Sequence, residues 1–216
     1  MLAQLLGLLG VLSLGLLSPG PDFLLILRNS LGPTAARGLG TVAGITLGLA
    51  VQVLAISLGC AALPAAAMRA LQLAGAAYLA YLGLRALLAR ADATVSTTAA
   101  DQGRKILMRS DHENASAARR GFVDGLVCNL TNPKAFLFFV GLFAQLLPTG
   151  TALGWRIAVP VTIVVHGAVL WTLVVLALRA PVVAAQLRRA QHWLPRAFGL
   201  ALLALALWLA WRSLAF

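Results

Sequence analysis

One acid stands inside the apolar run that extends from Met1 to Leu27: Asp22, which closes the stretch Ser18-Pro19-Gly20-Pro21-Asp22 and is the only acid before Asp92. Halfway along the chain, Asn129-Leu130-Thr131-Asn132-Pro133-Lys134 repeats the arrangement with the opposite charge. A charged side chain at mid-bilayer costs about 2.5 to 3.5 kcal/mol on insertion scales, so a carboxylate and an ammonium inside apolar segments point to solute binding or proton handling. Between them they offer a partner for each end of a zwitterion. The bland alternative is that Asp22 and Lys134 pair only with each other. At about 1.5 Å per residue, Asp22 lies roughly 9 Å from the Arg28 end of its helix and Lys134 about 21 Å beyond Arg120, so direct pairing does not follow from sequence.

Both charges sit beside helix breakers. Proline removes a backbone donor and clashes with the preceding turn, and glycine adds slack, so a helix should break at each stretch. Freed amides and carbonyls are tolerated in hydrocarbon only where they face protein, water or a solute. Amides around Gly20 to Phe23, at the start of a second half-helix, suit a carboxylate, and carbonyls around Leu17 suit an ammonium. The candidate site residues are therefore Pro19, Gly20, Pro21, Asp22, Asn129, Asn132, Pro133 and Lys134. Gln145 and His166 are weaker candidates, His166 being readable equally as a proton relay or as a hydrogen bond in a helix contact. Asp124, close after Arg119 and Arg120, reads as an interfacial ion pair.

The elements that must position these residues follow from composition. With 61% hydrophobic and 11% charged residues, the chain is a polytopic membrane protein, because soluble domains are roughly half apolar. Spans of about 20 residues allow roughly six crossings, read as Leu2–Leu27, Gly38–Leu63, Met68–Leu88, Phe122–Leu146, Leu153–Leu178 and Trp193–Trp211. Gly40, Gly44 and Gly48 form one helix face suited to close packing, and Gln52 reads as a bond to a neighbouring helix. Between Ala89 and Arg120 the leucines give way to polar residues. The expected organisation is all-α, one transmembrane domain over 1–216: a first half at 1–90, a polar cytoplasmic loop at 91–119 and a second half at 120–216.

Thirteen of the seventeen Lys and Arg residues fall after the first, third and fifth spans, which places both termini in the periplasm by the positive-inside rule. Three spans per half make any internal repeat inverted, with the broken first and fourth spans as mates, the arrangement of many transporters. Other classes fit poorly. The net charge of +11 is spread between apolar runs, not over a basic surface for nucleic acid. No HExxH, GxSxG or intramembrane carboxylate pair suggests an enzyme, and no cofactor is expected. Cys60 and Cys128 lack CxxC spacing and read as buried small residues, which leaves a thiol–disulfide conduit little support. His112, between Asp111 and Glu113, reads as solvated linker. A metal-ion exporter using oxygens of Asp22, Asn129 and Asn132 is the principal alternative.

The Ser-Pro-Gly-Pro-Asp stretch, the glycine ladder, the polar middle loop and the run Asn132-Pro133-Lys134-Ala135-Phe136-Leu137-Phe138-Phe139 together resemble the LysE/RhtB family of amino-acid exporters, over nearly the whole chain. That resemblance implies a small inner-membrane protein that carries an amino acid or related metabolite out of the cell. It is compatible with a homo-oligomer and does not select among lysine-like, threonine-like and leucine-like substrates. Efflux is expected to draw on the proton gradient, since no phosphate-binding GxxxxGK[ST] loop is present.

Overall fold

The structure, a computed structural model, describes residues 2–17, 20–31, 34–61, 63–88, 111–147, 151–180, 182–183, 186 and 193–215. The elements that build it are helices: α1 (Leu2–Leu17), α2 (Pro21–Ser30), α3 (Ala35–Ala61), α4 (Ala65–Leu88), α5 (Asp111–Leu130), α6 (Pro133–Leu146), α7 (Leu153–Ala177) and α8 (Leu194–Ala215). Helices α3, α4 and α7 are each long and apolar enough to cross a bilayer, and α5 with α6, bent by 57°, makes a fourth crossing if taken as one span. The described helices thus establish three to four of the six crossings read from sequence. At 16 and 10 residues, α1 and α2 are each too short alone for a hydrocarbon core about 30 Å thick.

Helix α7 shows what kind of solvent surrounds the protein. Val159, Ile163, Gly167, Trp171 and Val175 repeat every four residues and are buried, while Val161, Val165, Val169 and Leu173 repeat on the opposite side and are exposed. A helix apolar on its outer face as well as its inner one belongs in lipid. That outer face would be a liability in water.

Helices α3 and α5 run in backbone contact because the seam between them has almost no side chains. A β-carbon at Gly40 would strike the Ala118 carbonyl, and one at Gly44 the Phe122 carbonyl. Reciprocally, Gly121 lies on the Arg37 carbonyl and Gly125 on the Thr41 carbonyl. The glycine ladder is a packing face, as expected. Its partner begins earlier than the sequence suggests: α5 starts at Asp111, so residues 111–120, read as loop, are helical. Ala118, against Gly40, carries the seam into that polar stretch. Helix α4 makes two similar crossings, Gly75 on Gly141 of α6 and Gly83 on Gly199 of α8.

Among the described residues, two apolar clusters fill the interior. One gathers Leu12, Leu49, Leu79, Phe138, Phe139 and Phe143; the other gathers Phe23, Ile26, Ile45, Trp171 and Val175. The interrupted helices meet between them.

Candidate functional site

Both interruptions restart their helices in the same way. Proline is the first residue of α2 and of α6, and the charged residue, Asp22 or Lys134, is the second. Proline suits that position because its missing N–H has no helical partner there. The cost falls on the preceding turn. In a continuous helix the Asn129 carbonyl would accept the N–H of residue 133, which proline lacks. It accepts instead from Gln52 Nε2 at 2.7 Å and from the Asn132 backbone N–H at 3.0 Å. Prolines at 19 and 21 remove the same donors from the Gly15 and Leu17 carbonyls.

Asn132 does two things at once. Its Oδ1 accepts the backbone N–H groups of Lys134 at 3.1 Å and Ala135 at 3.3 Å, capping α6. With Oδ1 so occupied, the side-chain amide NH2 is turned outward, and it donates to Asp22 Oδ2 at 3.1 Å. Asn129 Nδ2 donates to that same oxygen at 3.0 Å. One carboxylate oxygen of α2 is therefore gripped by amides on both sides of the α5–α6 break, and the two interrupted segments are tied together at their interruptions. Gly48 leaves room for this, since a β-carbon there would lie 2.8 Å from Asn129 Oδ1.

Asp22 is buried, and its second oxygen, Oδ1, has no hydrogen-bond partner among the described residues. The same holds for Asn129 Oδ1, Gln52 Oε1 and Trp171 Nε1. Buried polar atoms are paired in the great majority of cases, so this cluster is capacity for further hydrogen bonds. Asp22, Asn132 and Lys134 line a cavity of about 40 Å³. Phe23, Phe138, Phe139 and Trp171 form its apolar side. Small-molecule sites span roughly 300–1,000 Å³, so the cavity is closed down around the charges. The helix dipoles treat the two charges differently: an acid in the first turn of α2 is stabilised, whereas a cation in the first turn of α6 is not. Helix stability therefore does not explain Lys134.

The structure brings Gly20, Asp22, Asn132 and Lys134 to one cavity and Asn129 into contact with Asp22. Pro21 and Pro133 set the half-helices without lining the cavity. Pro19 and the Gln145 side chain lie outside the described residues. His166 lies elsewhere, with Nε2 2.9 Å from Ser13 Oγ. Because the Ser13 hydroxyl donates to the Leu9 carbonyl at 2.8 Å, the histidine is the donor in that contact, which joins α7 to α1. Asp124 does form an ion pair, at 3.0 Å, but with Arg37 of α3 and not with its neighbours Arg119 and Arg120. Of the oxygens read as a possible metal set, Asn132 Oδ1 is spent on capping α6, while Asp22 Oδ1 and Asn129 Oδ1 have no hydrogen-bond partner among the described residues. Sequence reasoning did not place Gln52 or the aromatic residues at the site. Gln52 had a signal, as a strongly polar side chain in mid-span, and Pro133 identified the carbonyl needing it. Trp171 had none beyond its aromatic character.

Comparison with known proteins gives a consistent answer. The family model described as "LysE type translocator" matches residues 13–213. A threonine efflux protein of Salmonella typhi is 29% identical over 156 residues, 68% of this chain and 69% of that protein. A leucine efflux protein of Salmonella choleraesuis is 31% identical over 134 residues, 61% of this chain and 57% of that protein. An uncharacterized membrane protein of Vibrio cholerae is 31% identical over 134 residues, 61% of this chain, and the match spans 58% of the relative's own length. No solved structure matches.

Proposed function

We propose, since the chain belongs to the LysE type translocator family, that it exports amino acids or related small metabolites across the bacterial inner membrane through a site at its two interrupted helices. The observation that carries this reading is the meeting of the breaks: a buried carboxylate of α2, held by Asn129 and Asn132, shares a cavity with Lys134 of α6. Two fixed charges of opposite sign suit an α-amino acid, with Asp22 Oδ1 free to accept from the ammonium and Lys134 facing the carboxylate. The efflux names of the threonine and leucine relatives support the direction of transport and exclude no particular substrate. Transport requires helices to part, because a cavity of about 40 Å³ does not admit a free amino acid.

The remaining parts of the reading concern architecture and energy. We take α1 with α2, α3 and α4 as one repeat and α5 with α6, α7 and α8 as its inverted mate, both termini in the periplasm and the segment 91–119 on the cytoplasmic side. The shared Pro-then-charge start of α2 and α6 supports that equivalence. Export is coupled to the proton gradient. Inverted vesicles containing the protein should accumulate labelled amino acid when energised and stop when the gradient is collapsed with ATP maintained. Accumulation of divalent metal ions instead would overturn the assignment, and transport indifferent to the gradient would remove its coupling.

A further inference from the structure

We infer that the transported amino acid carries an apolar side chain, and that Phe138, with Gly15 behind it, sets how large that side chain can be. This rests on the amino-acid reading above and narrows it. Once Asp22 and Lys134 are assigned to the ammonium and carboxylate, Asn132 is spent on capping α6 and holding Asp22, and the larger side chains left on the cavity wall are aromatic or aliphatic: Leu16, Phe23, Phe138, Phe139 and Trp171. These are contributed by α1, α2, α6 and α7, so the apolar surface surrounds the charged pair from several helices. Phe23, Phe138, Phe139 and Trp171 are all buried. Phe138 packs edge-on to Phe139 at 5.2 Å, and Phe23 lies 6.2 Å from Trp171.

Such a wall discriminates by what it fails to offer. Among the described lining residues Asp22 is the single acid and Lys134 the single base. A lysine or arginine substrate would bring a second cation with no second carboxylate to meet it, and a glutamate a second anion with no second base. Uncompensated charge in a dry site is the costliest mismatch available. An apolar side chain packs against Leu16 and the phenylalanine rings, leaving Trp171 Nε1 without a partner, and pockets of this kind grade substrates by about 10- to 200-fold per methylene. Size is set where α1 and α6 touch. Gly15 lies against the Phe138 ring, and a β-carbon there would come within 3.2 Å of Phe138 Cζ. Adding that methyl group drives the ring toward the cavity; shortening Phe138 does the reverse.

The test uses the full chain in inverted, energised vesicles, with labelled leucine, phenylalanine, valine, lysine and glutamate as probes. Wild-type protein should transport the three apolar amino acids at least about 10-fold better than lysine or glutamate. Gly15→Ala should lower phenylalanine transport relative to valine, and Phe138→Leu should raise it. Lysine or glutamate carried as well as leucine would overturn the inference while leaving amino-acid export intact, as would an unchanged phenylalanine-to-valine ratio in both variants. If no amino acid is carried by protein of normal abundance, the underlying reading fails with it. Opposite shifts in two variants cannot arise from a common loss of folding.

Discussion

Asn132 caps α6 and also holds Asp22, and these two duties can be separated by substitution. Asn132→Ala removes both. Loss of an asparagine cap costs about 1 kcal/mol, and loss of a hydrogen bond to a charged group costs about 1.5 to 3 kcal/mol. The alanine variant should therefore lose about 2.5 to 4 kcal/mol. Asn132→Ser keeps an oxygen for the Lys134 and Ala135 N–H groups but is too short to donate to Asp22, now 3.1 Å from the asparagine nitrogen. It should recover about 1 kcal/mol of the alanine loss. Asn132→Asp keeps the cap and sets a second carboxylate against Asp22, so it should be less stable than the serine variant despite being a good cap. In thermal unfolding of the solubilised protein, about 2–4 °C accompanies each kcal/mol for a chain of this size. The alanine variant should then melt roughly 5–15 °C below wild type and the serine variant a few degrees above alanine. All three should lose export, because Asp22 is then held by Asn129 alone, from one side of the break. Alanine and serine variants that melt with wild type and export normally would refute the claim that Asn132 joins the two interrupted segments.

Further outcomes follow from other contacts. Gly44→Leu should abolish folded protein in the membrane, since even a β-carbon at that position strikes the Phe122 carbonyl; Gly59→Ala, where nothing lies within 4 Å, should leave abundance and export unchanged, and the two are compared by membrane immunoblot and vesicle transport. Ser13→Ala should cost about 0.6 kcal/mol, typical of an interhelical bond in a membrane, and leave export and its response to the proton gradient as in wild type; a changed response without loss of stability would instead make His166 a relay. A reporter active only in the cytoplasm should be silent when fused after Phe216 and active when inserted at position 100; the reverse pattern would invert the proposed topology.

Much of the site was legible because proline acts through local chemistry. Pro21 and Pro133 dictate where a half-helix begins, and the charge after each is plain in the chain. That Asn132 would cap α6 also follows from its place directly before Pro133. What sequence could not supply was the meeting of the two breaks. A ruler along straight helices put Asp22 and Lys134 at different depths, yet both line one cavity, with Asn129 and Asn132 holding Asp22 across the break. The beginning of α5 was hidden for a different reason. Residues 111–120 have no apolar periodicity, and their helix is held by the small residues Ala118, Gly121 and Gly125 against α3. The four-residue spacing of Gly121 and Gly125 was readable and mirrors Gly40, Gly44 and Gly48. The partner of Asp124 was out of reach, because only the α3–α5 seam brings Arg37 to it.

On the function proposed above, Asp22 and Lys134 serve the transported solute and are not merely a structural pair. Export by Asp22→Asn, Lys134→Gln and the double variant Asp22→Asn/Lys134→Gln, each normalised to membrane abundance, tests it most directly. A purely structural pair is harmed by either single change, which strands one charge, and relieved by the double change, which removes both. If the two charges serve the solute, all three variants should show normal abundance and no export. Export by the double variant close to that of wild type would contradict it.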